Sequence, residues 1–152
     1  MLLSDFPLPD LAATRLLATR IAPHLCKKDV LALSGELGTG KTEFARALLQ
    51  ELGIKGDIPS PTFTLLQAYD AGALTISHFD LYRLKSENEL DELGWDDALA
   101  SGATLVEWPE RAKGRLPSSC LRLTFRLEAN QIRHCLIEGD PLWHSRLGMR
   151  EL

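Results

Sequence analysis

The sequence predicts an α/β fold with a central, mainly parallel β-sheet that is flanked by helices and has antiparallel strands at its edges. Apolar runs of strand length alternate with amphipathic helical segments over most of the chain, an order typical of parallel sheets. Residues 120–139 then alternate apolar and polar side chains on both sides of a turn near Asn130, which predicts an antiparallel hairpin. The chain of 152 residues has the size of one domain, so we predict a single domain over 1–152.

The first predicted elements are a helix and a strand. Residues 10–25 carry apolar side chains near helical spacing, and Asp10 has the position and chemistry of an N-cap. Because Pro23 removes a backbone donor late in this segment, the helix is expected to end or kink there. Residues 29–34 are short and apolar, which predicts a buried central strand.

A second helix and a second strand are predicted next. Residues 42–52 place apolar side chains on one face of a helix, and Gly53 supplies a C-terminal stop. Residues 57–70 open with two prolines that exclude a helix, and they then alternate in the manner of a strand.

The middle of the chain predicts two further buried strands with a helix between them. Residues 73–80 and 103–108 are apolar runs that end in or near an acid. Between them, residues 86–100 begin with Ser86 and carry Glu89 three positions later, which is the capping-box pattern of a helix N-terminus.

Charge and composition narrow the possible partners. Twenty-one acidic residues against seventeen basic ones give a net charge of −4 without a basic run, so direct binding to RNA or DNA is not supported. The N-terminus lacks a signal-peptide pattern, and no apolar run is long enough to span a bilayer.

The histidines are dispersed, so we expect no zinc site. Without a CxxC pair, the sequence predicts buried free thiols in a reducing cytoplasm at Cys26, Cys120 and Cys135.

One motif carries specific chemistry. Gly35, Gly40, Lys41 and Thr42 fit the pattern G-x-x-x-x-G-K-[ST] of the phosphate-binding P-loop, between a predicted strand and a predicted helix as that structure requires. Glycines allow successive N–H groups to point inward around an anion, at the positive end of the helix dipole. In such a site the lysine binds the β- and γ-phosphates, and the threonine hydroxyl ligates Mg²⁺.

Two acids at predicted strand ends are candidates to hold Mg²⁺ or a water molecule opposite the P-loop threonine. Asp80 and Glu107 both follow apolar runs, and a helix cap or a solvated loop acid is the alternative for each. Residues 60–64 offer hydroxyl groups in a loop stiffened by proline. Loops in this position can sense the γ-phosphate and reorder on hydrolysis, and a plain loop leading into a strand is the alternative here.

Several classes of nucleotide-binding protein are disfavoured. No N/T-K-x-D string is present to read guanine, and Leu-Tyr-Arg follows Asp80 where a Ras-like GTPase has x-x-Gly. The sequence contains no LSGGQ-like string of a transport ATPase and no arginine-dense lid segment of a small-molecule kinase. ATP is therefore the expected nucleotide.

Four strings together resemble one family. They are GELGTGKT, SPTFTL, HFDLYRL and EWPER, in this order. The chain resembles the bacterial TsaE (YjeE) proteins, which are small P-loop ATPases needed to make threonylcarbamoyladenosine in tRNA. The likeness extends from PLPD near the start to about residue 137. HFDLYRL and EWPER are its most specific part, because they are not general P-loop features.

The resemblance implies a P-loop NTPase fold and roles for individual residues. Thr42 and Glu107 would hold Mg²⁺. Asp80 would be the Walker-B-type acid that lies near the metal and orients or deprotonates the attacking water. Lys41 would also take part in catalysis. The phosphates of ATP or ADP would be bound by the loop residues Gly35, Glu36, Gly38, Thr39, Gly40, Lys41 and Thr42.

The resemblance also implies further contacts around the nucleotide. Thr62 would belong to a nucleotide-sensing switch, and Trp108 would lie close to the nucleotide. Contacts to the base would fall near Asp10 and Leu11 and at Arg133.

The role of the family implies protein partners. TsaE proteins are thought to join the TsaD–TsaB pair and to reset it by hydrolysing nucleotide, so this chain would contact tRNA only indirectly, in the cytoplasm and away from membranes. Slow hydrolysis by the isolated chain is expected, because only Arg83 and Arg111 are candidates for an arginine finger. The segment after Gly139 matches no feature of the family.

Two other functions stay open at this point. The first is a small-molecule kinase, in which Asp80 would act as the base toward a substrate hydroxyl. The second is an interaction module that binds nucleotide without hydrolysing it.

Overall fold

The computed structural model describes residues 1–112 and 114–148, and its strands form one sheet. The strands are β1 (Leu2–Leu8), β2 (Val30–Ser34), β3 (Leu66–Asp70), β4 (Thr75–Asp80), β5 (Ala103–Glu107), β6 (Leu121–Leu127) and β7 (Arg133–Glu138). The helices are α1 (Leu11–Ile21), α2 (Lys41–Glu51), α3 (Asn88–Glu92), α4 (Trp95–Ser101) and α5 (Pro141–Leu147). Two short 3₁₀ helices span Ala22–His24 and Pro109–Ala112.

The strand order is β1-β7-β6-β2-β5-β4-β3. The central strands β6, β2, β5 and β4 run parallel to one another, whereas β3 pairs antiparallel with β4 at one edge. At the other edge β6 and β7 form an antiparallel hairpin, which β1 extends. The predicted α/β class, with a mainly parallel centre, antiparallel edges and a C-terminal hairpin, is therefore confirmed.

A hydrophobic core covers each face of the sheet, because alternate residues of a strand point to opposite sides. In β2, Leu31 and Leu33 belong to one core, which also contains residues of α1 and α2 and Trp143 of α5. Val30 and Ala32 belong to the other, which contains Trp95 of α4. Burial of β2 on both faces explains why this segment is apolar at successive positions.

Helix α1 begins as the sequence predicts. The side chain of Asp10 accepts a hydrogen bond from N of Ala13 at 2.9 Å, which is the contact of an N-cap. The α-helix ends at Ile21, and Pro23 lies in the 3₁₀ helix that follows. The expected end near the proline is therefore confirmed.

The predicted helical segment 86–100 contains two short helices where one pattern suggested a single helix. Gly94 lies between α3 and α4 in the left-handed region, at φ +77°, where the chain leaves the first helical axis. The capping box is half formed, since Oε1 of Glu89 accepts a hydrogen bond from N of Ser86 at 3.2 Å.

Two elements at the ends of the chain were missed by the sequence analysis. Strand β1 pairs with β7, and a register irregularity between Leu2 and Ser4 breaks the alternation of buried residues near its start. Helix α5 is capped by Asp140, whose carboxylate accepts a hydrogen bond from N of Trp143 at 3.0 Å. The Trp143 ring is buried against the sheet and donates through Nε1 to the carbonyl oxygen of Ser119 at 2.9 Å.

The three cysteines are free thiols, but the prediction that all of them are buried was wrong for Cys26, which is exposed. Burial raises the pKa of both the Cys120 and the Cys135 thiols. Cys26 lies just beyond the 3₁₀ helix, on the connection to β2, where nothing in the sequence pattern signals exposure. Within residues 1–112 and 114–148, no helix has the length and hydrophobicity needed to cross a membrane.

Candidate functional site

The candidate site lies where the parallel strands β2, β4 and β5 end. Asp80 and Glu107 are the last residues of β4 and β5, and they are register partners in the sheet. Leu33, next to the end of β2, pairs with Glu107 on its other side. The loop between β2 and α2 therefore starts beside both acids, at the edge of the sheet where ligands bind in open α/β folds.

The backbone of this loop has the conformation of an anion-binding nest. Gly35, Gly38 and Gly40 have φ angles of +139°, +77° and +109°. At Gly35 a Cβ atom would lie 2.4 Å from the carbonyl oxygen of Phe125, so this position admits only glycine without rearrangement. Among the described residues, no hydrogen-bond acceptor is provided for the amides of residues 36–40. Free amides before a helix N-terminus fit the phosphates of a nucleotide.

The side chain of Lys41 is folded back onto the loop. Its Nζ donates to the carbonyl oxygens of Gly35 and Glu36, and it lies 3.7 Å from the centre of the Trp108 ring. The residue is 5% exposed, and this burial lowers its pKa from the ordinary value, while nearby carboxylates, Glu107 first among them, oppose the shift. The ammonium group therefore lies inside the loop, on acceptors that a phosphate can replace.

Glu107 joins the loop helix to the sheet. Its Oε1 accepts a hydrogen bond from Oγ1 of Thr42 at 2.9 Å, and its Oε2 lies 2.6 Å from Nε2 of His78. Glu107 is 1% exposed, so both carboxylate oxygens have their partners inside the protein. Of the two candidate acids, Glu107 is the one in contact with the threonine of the P-loop.

Asp80 is in contact with the loop of residues 60–64. Its Oδ2 accepts a hydrogen bond from Oγ1 of Thr62 at 3.0 Å, and its Oδ1 accepts one from N of Tyr82 at 3.0 Å. Oγ1 of Thr62 is also 2.7 Å from the hydroxyl of Ser60. The predicted switch residue and the predicted catalytic acid therefore touch each other.

These side chains surround one small cavity of about 90 Å³. Its lining includes Lys41, Thr42, Thr62, Asp80, Glu107 and Trp108. A threonine hydroxyl and two carboxylates are the hard oxygen donors that Mg²⁺ prefers, so the residues present fit that ion.

Trp108 directly follows β5 and lines the cavity. Its φ of +58° is unusual for a residue with a large side chain, and its N–H donates to the carbonyl oxygen of Leu33 at 3.3 Å. The indole stacks at an angle against Tyr82, with 4.9 Å between the ring centres. The tryptophan is thus held next to Lys41, beside the predicted nucleotide.

The other predicted contacts fall on two larger cavities. Leu11 and Arg133 line one of about 330 Å³, and the Arg133 side chain comes within 3.8 Å of the position that a Cβ of Gly40 would take. Glu36 and Thr39 line another of about 680 Å³ on the β6 side of the loop. The structure therefore brings Leu11 and Arg133 together, and their contact with a base stays a prediction.

Two arginines near the site have partners of their own. The guanidinium of Arg83 lies over the exposed ring of Phe63, 4.5 Å from its centre. Nη1 of Arg111 donates to the carbonyl oxygen of Leu84 at 3.5 Å. Either would have to leave these contacts to act on a phosphate.

His78 is a site residue that the sequence analysis missed. It precedes Asp80 by two positions and therefore shares its face of β4, and it contacts Glu107 on the neighbouring strand. The two-residue period of a strand places His78 on the same face as Asp80. Its contact with Glu107 depends on the register between β4 and β5, which the sequence alone does not show.

The sequence profile of the family described as "Threonylcarbamoyl adenosine biosynthesis protein TsaE" matches residues 8–135. The chain belongs to the TsaE family. Among its relatives, the tRNA threonylcarbamoyladenosine biosynthesis protein TsaE of Rickettsia conorii is 42% identical over 82% of this chain and 71% of its own. The TsaE protein of Bacillus subtilis is 37% identical over 74% of this chain and 71% of its own.

A solved structure shares the fold of this TsaE-family chain. The crystal structure of YdiB from Bacillus subtilis superposes with a TM-score of 0.78 at 27% identity. The match covers 95% of this chain and 90% of that one.

Proposed function

We propose that this chain is the ATP-binding and ATP-hydrolysing component of the machinery that makes threonylcarbamoyladenosine in tRNA. Its relatives bear the name of that pathway. The observation that carries the ATP part is the hydrogen bond between Thr42 and Glu107, beside a loop of free amides. This contact places two oxygen ligands for a metal in the same cavity as the proposed phosphate site.

In this proposal the loop binds the triphosphate through its backbone. The amides of residues 36–40 donate to phosphate oxygens, at the N-terminal end of the α2 dipole. Lys41 exchanges the carbonyl oxygens of Gly35 and Glu36 for oxygens of the β- and γ-phosphates. The exchange gives the buried ammonium group anionic acceptors in place of neutral carbonyl oxygens.

Thr42, Glu107 and Asp80 would hold Mg²⁺. When bound, magnesium neutralises charge that builds up between the β- and γ-phosphates during transfer. The hydroxyl oxygen of Thr42 and the carboxylate of Glu107, which are hydrogen-bonded to each other, would supply two of the oxygen ligands. Both side chains are already placed together, so little ordering entropy remains to be lost.

Asp80 acts on the attacking water. The water oxygen bonds to the γ-phosphorus, the bond to the β–γ bridging oxygen breaks, and the water proton passes toward Asp80, giving ADP and phosphate. The Thr62 hydroxyl donates a hydrogen bond to Oδ2 of Asp80. It must release that oxygen for the water, which makes residues 60–64 a loop that changes partners with the state of the nucleotide.

The partners in this proposal are the TsaD and TsaB proteins in the cytoplasm, and tRNA is contacted only through them. A net charge of −4 suits a protein that binds proteins better than one that binds tRNA directly. Slow hydrolysis by the chain alone follows from the engagement of Arg83 and Arg111 in other contacts.

The test compares the wild type with Asp80→Ala in a tRNA modification assay with TsaD and TsaB. Pull-down with and without ATP measures assembly, and the number of modified tRNA molecules per complex measures turnover. We expect Asp80→Ala to bind ATP and partners but to lose modification beyond the first turnover. Because the carboxylate takes the proton of the water, the loss should be at least about a hundredfold in hydrolysis rate.

Two outcomes would contradict this function. Undiminished multiple-turnover modification by Asp80→Ala would indicate a nucleotide-dependent interaction module without hydrolysis. Stoichiometric transfer of the γ-phosphate to an added metabolite, in the absence of TsaD and TsaB, would indicate a small-molecule kinase.

A further inference from the structure

His78 forms a buried polar pair with Glu107, one of the proposed magnesium ligands. His78 pairs in register with Leu105, so Glu107 lies two residues further along the adjacent strand on the same face. Nε2 of His78 is 2.6 Å from Oε2 of Glu107, and both side chains are 2% exposed. The distance is that of a short, charge-assisted hydrogen bond.

The two oxygens of Glu107 are bonded on opposite sides. Oε1 accepts from Thr42 on α2, and Oε2 accepts from His78 on β4. A carboxylate held by one donor can rotate about its last bond, whereas two donors from separate elements fix its plane. Because His78 occupies Oε2, Oε1 is the oxygen presented to Thr42.

The imidazole makes no second hydrogen bond among the described residues. Its Nδ1 is buried without a partner, while Nε2 faces the carboxylate. The contact therefore assigns the hydrogen to Nε2. Nδ1 is then the nitrogen without a hydrogen, and the hydrogen bond of His78 among the described residues goes to Glu107 alone.

We propose that His78 is a positioning residue, which fixes the carboxylate of Glu107 so that Oε1 and the Thr42 hydroxyl act as one pair of magnesium ligands. This inference rests on the proposed function and adds a residue to it. Side chains that hydrogen-bond to metal ligands typically change metal affinity 10–100-fold when they are removed. We therefore expect His78 to affect the part of ADP affinity that depends on Mg²⁺.

The experiment measures ADP affinity by titration calorimetry in Mg²⁺ and in EDTA. The ratio of the two dissociation constants gives the magnesium increment. His78→Gln and His78→Asn form a matched pair, because both are polar amides but only the glutamine amide extends as far as Nε2 of histidine. Ile76→Val, on the same face of β4 two residues earlier, is the control for strand packing.

We expect His78→Asn to reduce the magnesium increment by about tenfold or more, with its ADP affinity in EDTA close to that of the wild type. His78→Gln should recover most of the increment, and Ile76→Val should keep all of it. His78→Leu, which removes the donor and keeps the volume, should behave as His78→Asn does.

Three results would overturn the proposal. They are an unchanged increment in His78→Asn, an equal loss of affinity in Mg²⁺ and in EDTA, and a loss in Ile76→Val as large as that in His78→Asn. Failure of the wild type to bind ADP at all would remove the proposed function and this inference with it. The wild-type titration therefore separates failure of the function from failure of the inference alone.

Discussion

Gly35 shows at the level of one residue why the P-loop sequence is constrained. Its φ is +139°, and an added Cβ would meet the Phe125 carbonyl oxygen at 2.4 Å and Oγ1 of Thr39 at 2.8 Å. The first of these neighbours belongs to the backbone of β6 and cannot move without disturbing the sheet. Gly35→Ala must therefore shift the loop that carries the amides proposed to bind phosphate.

We predict that Gly35→Ala lowers the free energy of unfolding by at least about 2 kcal/mol and weakens ADP binding more than tenfold. The control is Gly56→Ala, which has a positive φ of +82° but open space around the added Cβ. It should cost about 1 kcal/mol through backbone strain alone and leave ADP affinity unchanged. Urea denaturation and calorimetry measure the two effects, and equal ADP affinities in the two variants would contradict the argument.

The site residues that the sequence predicted are those whose chemistry is tied to a fixed spacing. Lys41 and Thr42 follow from the P-loop pattern, and Asp80 and Glu107 follow from acids at the ends of apolar runs. The sequence alone does not decide which of the two acids lies against the P-loop threonine. Only packing of α2 against the sheet shows that Thr42 meets Glu107, because the two lie 65 positions apart. His78 was missed for the same reason.

At the scale of the element, α5 is held by one arginine. Arg146 donates through both terminal nitrogens to the carboxylate of Asp29, at 3.1 and 2.5 Å, and also to the carbonyl oxygen of His24. Its guanidinium lies over the buried ring of Trp143, 3.9 Å from the ring centre. The hydrogen bond to Asp29 raises the pKa of Arg146 further, so the pair stays charged.

We predict that Arg146→Ala lowers the free energy of unfolding by about 2 kcal/mol, since it removes charge-assisted hydrogen bonds that are only partly exposed. Arg126→Ala is the matched control, because Arg126 makes a more exposed ion pair with Glu128. That pair should contribute less than about 0.5 kcal/mol. Denaturant titration measures both, and similar losses in the two variants would show that Arg146 does not anchor α5.

The elements that the sequence predicted are those with a complete periodic pattern between clear boundaries. The central strands and α1 and α2 meet this condition. Strand β1 does not, because its alternation is irregular near Ser4 and because a proline within a short run argues against a strand. Its pairing partner β7 also lies far away in the sequence. Helix α5 spans only Pro141–Leu147, which is too short for a periodic signal. Gly94, read as part of one helical segment, instead separates α3 from α4.

At the scale of the whole molecule, the site is assembled from four separate parts of the sequence. The P-loop, residues 60–64, the end of β4 and the end of β5 each contribute side chains to the cavity. None of these parts contains all of the proposed nucleotide-binding residues, so the proposed site exists only in the folded chain. Ligand that binds only the folded state raises its stability by an amount set by concentration and affinity.

We therefore predict that MgADP at a hundred times its dissociation constant stabilises the protein by about 2.7 kcal/mol. For a chain of this length, that corresponds to a rise in Tm of about 5–10 °C in a thermal scan. Lys41→Met should abolish the rise, since it removes the ammonium group that the loop holds for the phosphates. The matched substitution Lys55→Met lies beyond the C-terminal end of α2, away from the loop, and should keep it. A rise of the same size in Lys41→Met would place the nucleotide elsewhere on the molecule.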